Sequence, residues 1–308
     1  MGDTPLYLLR LLQYLALMLL FGLPLMQWLA ERRSHVAGTW DTRSLRRWLL
    51  TCAIIALALG MVELPLKTMR IMWLSLAELD SEALAWYLLD TPTGWAWLAR
   101  TVALLYILGL LVGWPRSRNL PWAALCIGSG IALTTLLWNG HAAASTGLPG
   151  LLRLGLGGLH LLAAAVWLGA IAGFLMMLGT GWQQRNETGT LRQWHARLHD
   201  FVSTGSLLVA ILLFTGILHY AWIDGWHLST ATLLQTAYGR WMLFKIALFA
   251  CMLGLAALHR WILVPRLLNP DTAPGDTRHL RRSLRIEAAL AVLIIAAVAI
   301  LGTMSPHA

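Results

Sequence analysis

The sequence predicts an all-α fold: a polytopic membrane helix bundle of about eight transmembrane helices with both termini on the outer side. Three observations carry this. The 308 residues are 58% hydrophobic and only 12% charged, whereas soluble domains carry roughly a quarter charged residues. Apolar stretches of about 20 residues, the length that crosses ~30 Å of hydrocarbon, recur eight times. Arginine is concentrated in every second connection, which assigns the two sides.

The first span covers about Pro5 to Ala30 and ends in Glu31-Arg32-Arg33. No basic region precedes it and no small-residue cleavage site follows, so it is expected to stay as a helix rather than be removed as a signal peptide. The second runs from about Arg47 to Leu64, where Pro65 weakens it. Ser81 to Leu89 is too short to span and has a polar, capping start, which suits a surface helix. The third span is about Thr93 to Trp114 and, after the basic link Pro115 to Arg118, the fourth runs from Leu120 to His141. A short turn, Ser145 to Gly150, leads into the fifth, Leu151 to about Thr180. A polar loop bearing Arg185, Arg192 and Arg197 precedes the sixth, about His199 to Trp222. The seventh extends from about Thr236 to Arg260 and the eighth from Ser283 to Thr303; between them Asn269 to Arg282, with two prolines and a glycine, reads as a soluble linker. The chain thus divides into a four-helix N-terminal membrane half, 1–137, and a second four-helix half, 138–308.

The connections after the odd spans hold Arg32, Arg33, Arg43, Arg46 and Arg47, then Arg116 and Arg118, and finally Arg278, Arg281, Arg282 and Arg285. These mark the cytoplasmic side. The other side has mainly Lys67 and Arg70 against Glu78, Asp80, Glu82 and Asp90. A net charge of +9 is accounted for by this asymmetry and by anionic inner-leaflet lipid, so no nucleic-acid partner is expected. Most of the 17 tryptophans, among them Trp28, Trp114, Trp138 and Trp222, fall near span ends, as an interfacial belt requires.

With the sides assigned, His141, His160 and His219 come from three spans near or within the outer leaflet, and Met304 and His307 sit where the eighth emerges on that side. Imidazole with thioether suits copper, the thioether favouring Cu(I). His160, well inside its span, is the strongest candidate because a midhelix imidazole in lipid is costly. Glu63, Arg100 and Lys245 are intramembrane charges at comparable depth. Their two readings, a buried ion pair that orients helices or a pathway for a cation or proton, both stand. Cys52, Cys126 and Cys251 are read as packing residues at helix contacts. No CxxC, P-loop, GxSxG or GxGxxG-to-helix arrangement occurs, so no enzyme is expected.

Several segments taken together resemble the copper-resistance protein D family of bacterial inner-membrane proteins. They are Asn139-Gly-His141-Ala; Leu159-His160 through Trp167-Leu-Gly169; Tyr238-Gly239-Arg240 with Lys245; and Arg282-Ser-Leu-Arg285-Ile-Glu287. The resemblance covers about Trp138 to Pro306, so residues 138–308 form a copper-resistance-D-like half. It implies a multi-pass protein of the inner membrane that handles copper ion, often beside a periplasmic copper-binding chaperone, with His141 and His160 on the family's membrane histidines.

The expectation is therefore a bundle that takes copper from the periplasmic side toward the cytoplasm. His141 and His160 are the central metal ligands, with His219 and Met304 as accessory ones. The alternative is a haem-binding membrane cytochrome for electron transfer, with His199 and His259 as one axial pair and His160 with His219 or His141 as another.

Overall fold

The computed structural model describes residues 4–33, 42–115, 120–139, 147–180, 188–223, 225, 230–263 and 274–304. Every regular element among them is helical. In chain order they are α1 (Thr4–Arg33), α2 (Thr42–Met72), a 3-10 turn (Leu76–Glu78), α3 (Ser81–Asp90), α4 (Pro92–Gly113) and α5 (Trp122–Thr134), which tightens into a 3-10 turn (Thr135–Asn139). Then follow α6 (Gly147–Thr180), α7 (Thr188–Ile223), α8 (Thr230–Gln235), α9 (Ala237–Leu258), which widens into a π-helical turn (His259–Leu263), and α10 (Pro274–Leu301). Among the described residues, eight helices are long and apolar enough to cross a membrane.

The bundle is built around α1, which packs on α2, α5, α6 and α10. Leu17, Leu20 and Leu23 of α1 are buried with Leu49 of α2, Ile107 of α4 and Ala165 of α6, so one core runs through both halves. Lipid tails are as apolar as leucine, so helices associate through close packing rather than through release of apolar surface from water. Helix α1 crosses α6 closely. A Cβ on Gly22 would stand 2.9 Å from the Gly169 Cα, and one on Gly169 would stand 2.6 Å from the Gly22 Cα. Only glycine at both positions lets these backbones touch.

Local chemistry sets the helix starts. Asp80 caps α3 by accepting from the Ala83 N–H at 2.8 Å, and Thr91 caps α4 by accepting from the Gly94 N–H at 2.9 Å. Thr236 does the same for α9 through the Gly239 N–H, at 2.9 Å. Outside the spans, the Ser75 backbone N–H and hydroxyl both donate to Glu78, which holds that carboxyl below its ordinary range.

Three boundaries differ from the sequence reading. Helix α2 does not stop at Leu64 but continues through Pro65 to Met72. A proline removes one N–H and frees the carbonyl four residues back, here that of Met61, which a helix packed in a membrane bundle tolerates. The polar stretch before the sixth span is helical from Thr188, because its polarity is that of a helix extended beyond the apolar layer. The linker before the eighth span becomes helical at Pro274, whose fixed φ suits a first helical position.

Candidate metal site

His160 of α6 and His219 of α7 face each other across the helix pair. Their ring centroids are 5.9 Å apart and the rings are nearly perpendicular, at 77°. Thr215, one turn before His219, touches both. Nδ1 of His160 is 2.7 Å from the Thr215 hydroxyl, and Nδ1 of His219 is 2.8 Å from the Thr215 carbonyl oxygen.

These contacts assign the ring protons. A carbonyl only accepts, so His219 carries its proton on Nδ1. The Thr215 hydroxyl has one proton, and Ile211 O takes it at 2.6 Å. The hydroxyl must then accept from His160, which therefore also carries its proton on Nδ1. Both neutral rings are left with a bare Nε2. This is how metal-binding histidines are held: one ring nitrogen donates to the protein and the other keeps its lone pair for the ion. The spacing also fits, because two imidazoles sharing one ion at about 2.0–2.1 Å hold their centroids on the order of 6 Å apart.

Small residues leave room around the rings. A Cβ on Gly157 would meet His219 Nε2 at 3.6 Å, and one on Gly216 would meet His160 Cε1 at 3.9 Å. Lys245 of α9 lies close enough for its charge to act on both imidazoles. The Arg153 guanidinium sits 5.6 Å from the centre of a Trp222 ring, toward the mouth of the pair.

Of the four metal candidates, His160 and His219 are the two whose rings meet. Met304 follows the end of α10, two residues from Gly302, which packs against Arg10. His141 lies outside the described residues, as does His307. Among the described residues no three His, Cys, Asp or Glu side chains are grouped for a metal.

The intramembrane charges separate. Glu63, 1% exposed, is the hub of a network joining four helical elements. It pairs with Lys67 one turn on and with Arg100 of α4 at 2.5 Å. It also accepts from Gln13 of α1 at 2.9 Å and from the Asn139 side-chain amide at 3.1 Å. Lys67 donates to Asn139 Oδ1 at 2.5 Å, and Arg10 donates to the Asn139 carbonyl at 3.1 Å. Lys245 is not among the partners of Glu63; Lys67 joins Arg100 there, since α2 runs past Pro65 and carries Lys67 onto the same face. Asn139 is thus held through both its backbone and its side chain.

The sequence reading named neither Thr215 nor Lys67, Gln13 and Asn139 as site residues. Thr215–His219 and Glu63–Lys67 are four residues apart, a spacing that puts both members on one helix face; Gln13 and Asn139 carried no such signal. Of the haem alternative's inner pair, only His259 has a described side chain. Both ring nitrogens of His259 are engaged, by Glu287 and by Ser283, and the His199 side chain lies outside the described residues.

Among the described residues, eight apolar helices with a buried imidazole pair between two of them define a polytopic membrane protein. Residues 1–151 match the family model for the copper resistance protein D-like N-terminal domain, and residues 195–301 match that for copper resistance protein D. The chain is 32% identical to copper resistance protein D of Pseudomonas syringae pv. tomato, over 97% of this chain and 96% of that one. The chain belongs to the copper resistance protein D family. It is also 34% identical to the copper transport protein CutJ of Bacillus subtilis (strain 168), over 46% of this chain and 23% of that one. The inner membrane protein YebZ of Escherichia coli (strain K12) is 26% identical over 71% of this chain and 70% of its own length. No solved structure matches. Family and apolar helices together make this a multi-pass inner-membrane protein.

Proposed function

We propose that this protein moves copper as cargo from the periplasmic side toward the cytoplasm, binding it at His160 and His219. The observation that carries this reading is Thr215, which leaves Nε2 of both rings bare and directed by fixed hydrogen bonds. His141 and Met304 would complete the coordination from the periplasmic mouth. The names of two relatives, a copper resistance protein and a copper transport protein, support copper over other soft ions and transport over catalysis. The arginine asymmetry supports the sidedness, with the imidazole pair toward the periplasmic half. A periplasmic copper-binding chaperone would deliver the ion, and gradients or handover between ligand sets would drive it, since the sequence has no ATPase motif.

The test is a Cu(I) titration of purified protein against a competing chelator. The wild-type chain is expected to bind copper stoichiometrically, and His160→Ala and His219→Ala are each expected to lose it. A folded double variant that keeps wild-type stoichiometry and affinity removes the pair from the pathway. A strong Soret band in the same preparation would instead select the electron-transfer reading.

A further inference from the structure

Deeper along α6 the bundle holds a second buried polar cluster. Trp167 lies two turns beyond His160, ~10 Å at the helical rise of 1.5 Å per residue. Its indole N–H donates to Oε1 of Glu287 at 2.9 Å, and Glu287, on α10, is only 3% exposed. Oε2 of the same carboxylate is 3.3 Å from Nδ1 of His259 at the end of α9. Nε2 of that ring is 2.8 Å from the hydroxyl of Ser283, one turn before Glu287. The cluster borders a cavity of about 220 Å³.

A tryptophan–carboxylate bond alone would serve to tie α6 to α10. An imidazole set between the acid and a hydroxyl, beside space large enough for water, goes beyond that need. Counting protons shows what it permits. With Nδ1–H toward Glu287, Nε2 accepts the Ser283 O–H. One added proton makes an imidazolium that donates at both ends, and Ser283 accepts once its hydroxyl turns. Both states leave the ring nitrogens and the carboxylate partnered, so a proton can enter or leave at the cost of one hydroxyl rotation. A metal fits less well, because both ring nitrogens are already committed.

The surroundings supply few competing charges. Among the described residues, α6 and α7 bring only neutral groups to the cavity, including Trp167, Phe201 and Ser206, and α1, which packs on α10, brings none. The end of α9 brings His259 and Arg260, and α10 brings Glu287; Arg260 donates to Ser206 Oγ at 3.2 Å. An ionisable pair inside a membrane bundle, facing a cavity, is where proton relays are built.

We propose that Glu287, His259 and Ser283 form a proton-exchange site in the half of the bundle opposite the imidazole pair, reached through this cavity. The exchanged proton comes from water at the cytoplasmic end and returns there or passes on as copper moves. This coupling rests on the transport reading above; the proton site itself does not.

Two measurements test it. Infrared difference spectra of copper-free protein in nanodiscs, between acidic and alkaline buffer, should contain a titrating carboxyl or imidazole signal that Glu287→Gln removes. In proteoliposomes, an imposed pH gradient should change copper entry severalfold for the wild type and leave Glu287→Gln unaffected, while the variant keeps wild-type copper stoichiometry at the imidazole pair. If Glu287→Gln does not accumulate, His259→Asn takes its place in both measurements. A wild-type spectrum with no titrating signal from this cluster, or a variant that follows the pH gradient as the wild type does, overturns the proposal. A titrating signal in a protein that binds no copper would sustain the proton site and sink the transport reading instead.

Discussion

Nδ1 of His160 and the Thr215 hydroxyl meet at 2.7 Å across the interface of α6 and α7. Because that hydroxyl gives its own proton to Ile211 O, one threonine determines the tautomer of a ring on another helix. Thr215→Val removes the hydroxyl and keeps the shape and the backbone carbonyl that holds His219. Loss of such an outer partner typically costs 10–100-fold in metal affinity. We expect a loss of about that size in a Cu(I) chelator competition for Thr215→Val, and near wild-type affinity for Thr215→Ser. Equal affinity for wild type and Thr215→Val would show that the hydroxyl does not prepare the site.

The Glu63 hub predicts an order of stabilities. Glu63 faces two cations, Lys67 and Arg100. Glu63→Gln leaves both without a counter-ion, whereas Arg100→Met leaves a one-to-one pair. Stranding a buried charge costs about 3–5 kcal/mol. Thermal unfolding in detergent should therefore rank wild type above Arg100→Met and Arg100→Met well above Glu63→Gln. The reverse order would mean that Arg100, not Glu63, is the organising charge.

Apolar length made all eight spans legible in the sequence, and the midhelix position of His160 marked it as a candidate. Partners were harder. Periodicity tells which residues lie on one face of a helix, so Lys67 below Glu63 and Thr215 below His219 were within reach of the sequence; ending the second span at Pro65 hid the first of these. The contact of His160 with Thr215 joins residues 55 apart and depends on how α6 and α7 pack, which no local pattern encodes. The start of α10 was misread because Pro274 and Gly275 signal a loop, while a proline also suits a first helical position.

Gly22 and Gly169 make a further test of the packing. A Cβ on Gly169 would meet the Gly22 backbone, with the Cα at 2.6 Å, and backbone cannot swing aside as a side chain does. Overpacking costs typically 1–3 kcal/mol, and here both affected helices lie in the core. Gly169→Leu should lower the apparent Tm in detergent and reduce membrane accumulation more than Gly109→Leu, whose Cβ would meet nothing within 4 Å. Equal behaviour of the two would contradict the α1–α6 crossing.

Sidedness can be read with reporters. Alkaline phosphatase fused after Asp90, which ends α3, should be active, as expected for the periplasm. A fusion after Pro115, before the Arg116–Arg118 link, should be inactive there and stable in the cytoplasm. The opposite pattern would reverse the entry side of the transport reading and move the proposed proton site to the periplasmic end.

Lys245 bears on how firmly the imidazole pair can hold a cation. Its charge acts on both His160 and His219, and none of the carboxylates paired among the described residues is its partner. Whenever this amine is protonated, it raises the energy of a copper ion bound beside it, which favours release; a pathway needs binding strong enough to admit an ion and weak enough to let it go. Lys245→Met removes the repulsion and keeps the length of the stem. We expect copper affinity to rise by about tenfold, roughly 1.4 kcal/mol, with slower release in stopped-flow chelation, whereas Lys245→Arg, which keeps the charge, should stay near the wild type. If Lys245→Met instead weakens binding, the amine is a ligand rather than a repelling charge, and the site has three nitrogens instead of two.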